Sequence, residues 1–193
     1  NRNPMFLPGL FRLRQTFDRP RVDDIAGEVR RQMEHLDLGR RVQTGQSVAI
    51  TVGSRGIRNM REIIAASVAV LQEAGAAPFL VPAMGSHGGG TATGQLNVLE
   101  SYGITEEYCR CPIRASMETV VVCRANEGFD VHFDRHAYEA DHVLVCNRVK
   151  PHTNFVGSFM SLSRSISCSL TSRGGAIWPR HYSPPPLETG SFI

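Results

Sequence analysis

Lysine is almost missing from this sequence. Lys150 stands alone among 21 basic residues, the rest being arginine, a bias that reflects the base composition of the encoding genome more than a function. Also missing is any C-x-x-C pair. The five cysteines, Cys109, Cys111, Cys123, Cys146 and Cys168, are odd in number and scattered, which excludes a disulfide framework and a zinc ribbon and leaves reduced, structural thiols. No apolar run approaches membrane length: the longest, 63–71, is under half of the ~20 residues a spanning helix needs. No basic-then-apolar signal pattern opens the chain, so a soluble, cytoplasmic protein is expected. An excess of charge of one sign is lacking too. The net charge of +3 is small and dispersed, which argues against a nucleic-acid surface. The chain opens on Asn1 rather than Met, so its first residues are read as an upstream segment.

What is present is globular. With 193 residues, 41% hydrophobic and 20% charged, the chain escapes the disordered class and can bury roughly 70% of its unfolded surface without a staple. Ile25, Val29, Met33 and Leu36 keep helical spacing after Asp23-Asp24, with Gly39 as the expected stop. The β-branched run 47–52 predicts a buried strand ending in Gly53-Ser54-Arg55-Gly56. Asn59 is the expected cap of an apolar helix closed by Gly75, and Pro78 to Val81 reads as a second strand. It runs into Gly85-Ser86-His87-Gly88-Gly89-Gly90-Thr91, followed by a helix from Gln95 to Tyr102. This alternation predicts an α/β fold, Rossmann-like, with a mainly parallel sheet and helices on both faces. Thr119 to Cys123 and Phe129 to Phe133 predict a small β-hairpin excursion around Asn126-Glu127-Gly128. A short helix over 134–140 and a strand from His142 to Cys146 come next. From Ser158 the sequence turns rich in Ser, Arg and Pro with a single acidic residue, Glu188, and residues 158–193 read as a poorly packed tail with local helix around 162–170.

Ligands in open α/β sheets sit beyond the carboxyl ends of the strands. The polar segments opening at Gly53, Gly85 and Asn147 follow such strands and are expected at one rim. The glycine-rich segment reads either as an anion cradle of backbone amides or as a tight turn; it has no G-K-[ST] ending and is not a P-loop. His87 adds a titratable side chain among small neighbours. Arg55 could grip a carboxylate or phosphate in fork geometry, or be a surface arginine. In Lys150-Pro151-His152-Thr153-Asn154, proline holds the chain extended beside a lysine and a histidine. His132, Asp134 and His136 straddle a strand end and a helix start, a poor frame for a metal site, and no metal ligand is assigned.

Three ordered stretches, Val52-Gly53-Ser54-Arg55-Gly56-Ile57, Val81-Pro82-Ala83-Met84-Gly85-Ser86-His87-Gly88-Gly89 and Asn147-Arg148-Val149-Lys150-Pro151-His152-Thr153-Asn154-Phe155, closely resemble the N-terminal domain of the nickel-dependent lactate racemase-like family. Glu100 to Glu107 and Phe133 to Ala137 are similar to it as well, so the resemblance spans roughly residues 11 to 157. It implies an N-terminal α/β domain over 1–157, and a nickel-pincer nucleotide that takes a hydride from the carbinol carbon of a 2-hydroxy acid and returns it to either face. Two histidines then serve as acid and base, one for each enantiomer. By motif position these are His87 and His152. Arg55, Ser86, Gly88, Gly89 and Lys150 form the implied substrate- or cofactor-binding set.

The chain departs from that family in two places. The family carries a lysine in a Gly-rich stretch about ten residues after the second histidine, bonded to the cofactor, and here no lysine follows His152. A nickel-ligating histidine is expected farther on, and the surroundings of His181 match nothing. The switch after Gly157 reads as a frame change or a truncated gene. The isolated chain is therefore expected to lack racemase activity and not to retain the cofactor. The alternatives are a non-catalytic nucleotide- or anion-binding α/β module and an inactive fragment.

Overall fold

The computed structural model describes residues 12–16, 21–54, 57–124, 128–148 and 166–172. Helix α1 (Ile25–Glu34) starts where Asp24 accepts a hydrogen bond from the Gly27 amide at 2.8 Å, satisfying one of the amides a helix start leaves open. Gly39 does not stop it. The break comes at Asp37, in the left-handed region at φ 51°, and Gly39 lies inside a second short helix, α2 (Leu38–Arg41). Strand β1 (Ser47–Val52) leads to α3 (Met60–Glu73). Asn59 occupies the N-cap of α3, yet its side chain makes no capping bond; it serves through a left-handed backbone at φ 58°, which Asn tolerates. Gly75, at φ +84°, ends α3 with its amide on the Gln72 carbonyl, and Ala76 reaches back to Leu71.

Strand β2 (Ala77–Pro82) is followed by a 3-10 turn, His87–Gly90, and by α4 (Ala92–Ser101). Helix α4 starts three residues before the expected Gln95, because the Thr91 hydroxyl accepts the Gly94 amide. A one-turn helix, α5 (Glu106–Cys109), comes next; at four residues it is too short for periodicity to reveal. The hairpin is present as β3 (Thr119–Arg124) paired antiparallel with β4 (Asp130–Asp134). Asp134 accepts the Ala137 amide at 2.8 Å and caps α6 (Arg135–Glu139). Strand β5 (His142–Arg148) runs two residues beyond the expected Cys146, so Asn147 still belongs to the sheet.

The sheet order is β2-β1-β5-β6, with β1 parallel to both β2 and β5. Alternation along the strands splits the core into two layers. Val48, Ile50, Val52, Leu80, Leu144 and Cys146 pack with Met33, Ile64, Val68, Leu71 and Leu99 of the helices on one face. Ala49, Phe79, Val81 and Val143 meet Ala137, Ala140 and Phe133 on the other. This is an α/β architecture with three parallel strands flanked by helices and a small antiparallel pair, consistent with a Rossmann-like fold. Strand β1 lies between β2 and β5, so the chain steps from β1 to β2 on one side of it and returns to β5 on the other; ligands in such open α/β sheets sit beyond the carboxyl ends of the strands.

An element near the C-terminal end also differs from expectation. Where local helix was expected around 162–170, residues Ile166–Ser172 form strand β6, antiparallel to β5 from Arg148↔Ile166 to His142↔Ser172. The sequence there alternates Ile166, Cys168, Leu170 with Ser167, Ser169, Thr171, a period-two pattern, and the outer edge of β5 offers unpaired backbone groups to complete. Among the described residues no helix is long and apolar enough to cross a membrane.

Candidate functional site

The carboxyl ends of β1 and β2 are tied together, the Ala83 amide donating to the Val52 carbonyl at 2.8 Å. Directly beyond them the Ser54 Oγ contacts Nδ1 of His87. Both partners are held from α4 and the turn after it. Gln95, buried, donates from Nε2 to the Gly85 carbonyl at 2.8 Å and so fixes the turn that carries His87. The Tyr102 hydroxyl donates to the Ser54 carbonyl at 2.5 Å and fixes the strand end that carries Ser54. The His87 amide bonds back to the Met84 carbonyl at 3.2 Å. Ser54 is buried and His87 partly exposed.

The glycines here have distinct reasons. Gly88, Gly89 and Gly90 all take positive φ, from 64° to 70°. Gly88 also packs against Gly94 of α4 with no room for a side chain, whereas Gly89 faces open space. Ser86 is exposed at the head of the turn. The structure thus brings Ser86, His87, Gly88 and Gly89 to the rim; Arg55, Lys150 and His152 lie outside the described residues. Sequence reasoning passed over Ser54 and Tyr102. Ser54 had a usable signal, its place two residues past a buried parallel strand; Tyr102, at a helix end about fifty residues away, had none.

A shallow cleft of about 290 Å³ lies beside this pair, lined by Ile57, Asn59, Met60, Arg61, Glu62 and Tyr102. His87 is not among its walls. The Arg61 guanidinium lies 4.4 Å from the Tyr108 ring centroid and 3.3 Å from the Glu62 carboxylate, engaged on both sides.

A second polar cluster sits at the amino ends of β1 and β5. Asp141 accepts from the Ser47 amide at 2.8 Å and the Ser47 hydroxyl at 2.7 Å. His142, 4% exposed, places Nε2 2.8 Å from Gln46 Oε1, while its Nδ1 is buried without a hydrogen-bond partner among the described residues. Burial pushes its pKa down, against a weaker opposing pull from Asp141. This cluster locks two strands together at the end opposite the crevice. Elsewhere, His132 Nδ1 meets Thr119 Oγ1 at 3.0 Å and Asp134 is occupied as a cap, so neither points to a metal. Among the described residues no group of three His, Cys, Asp or Glu could hold one.

Fold and rim together define a Rossmann-like α/β domain that presents a serine-held histidine at the carboxyl ends of its parallel strands. Comparison with protein-family models, curated proteins and solved structures finds no match to this chain.

Proposed function

We propose that this chain is a lactate racemase-like domain, inactive in isolation, that binds a small 2-hydroxy acid at the carboxyl rim, with His87 placed to take or return the substrate's hydroxyl proton only when a hydride acceptor is also bound. The observation that supports this reading is the Ser54–His87 pair at the ends of β1 and β2. A histidine that must take a hydroxyl proton and return it needs one ring nitrogen engaged by the protein and the other open toward substrate. In this reading His152 is the opposite acid/base for the other enantiomer, and Arg55 and Lys150 hold the carboxylate. The domain, in this reading, acts in the cytoplasm on a small molecule rather than on nucleic acid or membrane.

The nickel-pincer nucleotide implied by the resemblance would need an anchoring lysine after His152 that this sequence does not supply. The only lysine in the sequence, Lys150, precedes His152 instead of following it. The isolated chain is expected neither to retain that cofactor nor to racemise.

A second reading, a non-catalytic anion-binding module, is favoured by the run of positive-φ glycines ahead of α4. One titration separates the two. The full chain, with histidines labelled with ¹⁵N, is titrated with D- and L-lactate, malate and 2-hydroxybutyrate, with the matching acids lacking the hydroxyl, and with inorganic phosphate. A saturable shift of His87 that requires the hydroxyl supports the proposed function. An equal response to phosphate and to the deoxy acids sinks it in favour of the anion module. Racemisation by the purified chain would overturn the expected inactivity.

A further inference from the structure

We propose that Ser54 is the positioning residue of His87, and that in this pair its hydroxyl oxygen accepts the Nδ1–H of the ring, which leaves the lone pair on Nε2. The inference rests on the reading of His87 as acid/base, and it names what prepares that histidine for the task.

Three observations carry it. First, among the described residues Nδ1 is the only ring nitrogen of His87 that is engaged, and Ser54 engages it. The two nitrogens of a neutral imidazole are distinct, and the bond made by one decides the role of the other. Second, Ser54 is buried and its own backbone is gripped by the Tyr102 hydroxyl, so it cannot follow a ring that swings away. Third, a single stretch of chain sets both sides of the pair. Gln95 within α4 holds the Gly85 carbonyl of the histidine turn, and Tyr102 at the end of α4 holds the serine. Gly94 of the same helix is pressed against Gly88, which fixes the distance from turn to helix. A serine serving only to fill space would need none of these constraints.

The chemical consequence is directional. With Nδ1–H donated inward, Nε2 is the basic nitrogen and projects away from Ser54, where it can take a hydroxyl proton. After that transfer the ring is an imidazolium with both nitrogens protonated. The Ser54 oxygen still accepts from Nδ1, so the pair survives either protonation state, as an acid/base that works in both directions requires.

The test needs no substrate and so stands or falls independently of the racemase reading. Two-bond ¹H–¹⁵N correlation spectra of the full chain at pH 8, where ordinary imidazoles are neutral, report which nitrogen carries the proton. In the wild type His87 should show a protonated Nδ1 and an unprotonated Nε2. Ser54→Ala should move the tautomer ratio about fivefold toward Nε2–H, the effect of losing one ordinary hydrogen bond. Ser54→Thr, which keeps the hydroxyl, should restore the wild-type ratio. Tyr102→Phe should give an intermediate shift. His132, bonded to Thr119 on the separate β3–β4 pair, is the internal control for folding. A His87 ratio unchanged by Ser54→Ala while the His132 signals stay native overturns the proposal, as does a wild-type His87 already protonated on Nε2.

Discussion

Gly88 and Gly94 meet backbone to backbone: a Cβ on Gly94 would stand 1.8 Å from the Gly88 carbonyl oxygen, and one on Gly88 would stand 2.4 Å from the Gly94 carbonyl carbon. Gly94→Ala should therefore destabilise the protein by about 1–3 kcal/mol despite alanine's better helix propensity, because backbone on both sides must move. Gly89→Ala meets no neighbour and should cost only its left-handed conformation, about 1–2 kcal/mol. Thermal melts measure the stabilities and the His87 spectrum reports the site. Gly94→Ala should disturb His87, and Gly89→Ala should leave the Ser54 contact in place. Identical spectra for both variants would show that the close packing does not position the turn.

Ser47 and Asp141 exchange three hydrogen bonds across the amino ends of β1 and β5. Removing the hydroxyl with Ser47→Ala takes away two of the three, leaving the Asp141 carboxylate with one donor fewer and removing the acceptor that its amide uses here, in a part-buried place. A loss of about 1.5–3 kcal/mol is expected in urea denaturation, the range for a hydrogen bond to a charged group. A change within about 0.5 kcal/mol would mean that solvent replaces the hydroxyl freely.

The pH dependence of stability follows from His142. Its folded-state pKa is lowered by burial, so as pH falls below the ordinary histidine range of about 6.5 the unfolded chain takes up a proton that the folded chain refuses. Stability is thus fully present above that range and declines below it. Urea midpoints at pH 7.5 and 5.5 should fall further in the wild type than in His142→Gln, which cannot titrate. Parallel losses in the two proteins would assign the effect to other groups.

Thiol reactivity should divide by burial. Desolvation raises the Cys109 and Cys111 thiols, Cys111 to about 12, and both are buried, whereas Cys123 is exposed on β3. Since the thiolate is the reacting form, iodoacetamide at pH 8 should label Cys123 well before Cys109 or Cys111 in the native protein. Peptide mapping by mass spectrometry checks this, and early labelling of Cys111 would contradict its burial.

Strand and helix alternation, the hairpin and the Asp24 cap were legible because each rests on local pattern: β-branched runs, turn residues, a carboxylate ahead of an apolar stripe. Gly39 misled because a glycine stops a helix only when its own backbone turns left-handed, and here Asp37 had already done so. Strand β6 was hidden because a seven-residue alternation is weak until an open edge exists to receive it, and that edge belongs to β5. At the site His87 stood out by chemistry, as a lone titratable group among glycines. Its partner did not, because the contact joins two loops 33 positions apart and depends on how β1 and β2 align.

The central position of β1 also gives its two pairings very different sequence separations. Its register with β2 closes over a separation of about thirty residues and can form as a self-contained βαβ unit, at a modest loop-closure cost. Its other neighbour, β5, lies 94 residues along the chain at the Ser47–Asp141 contact, a slow closure for any polypeptide. On these separations β1 is expected to pair with β2 before it pairs with β5. The Ser54–His87 pair spans only that first unit and the turn that follows it. The rim's chemistry should take shape before the sheet is complete.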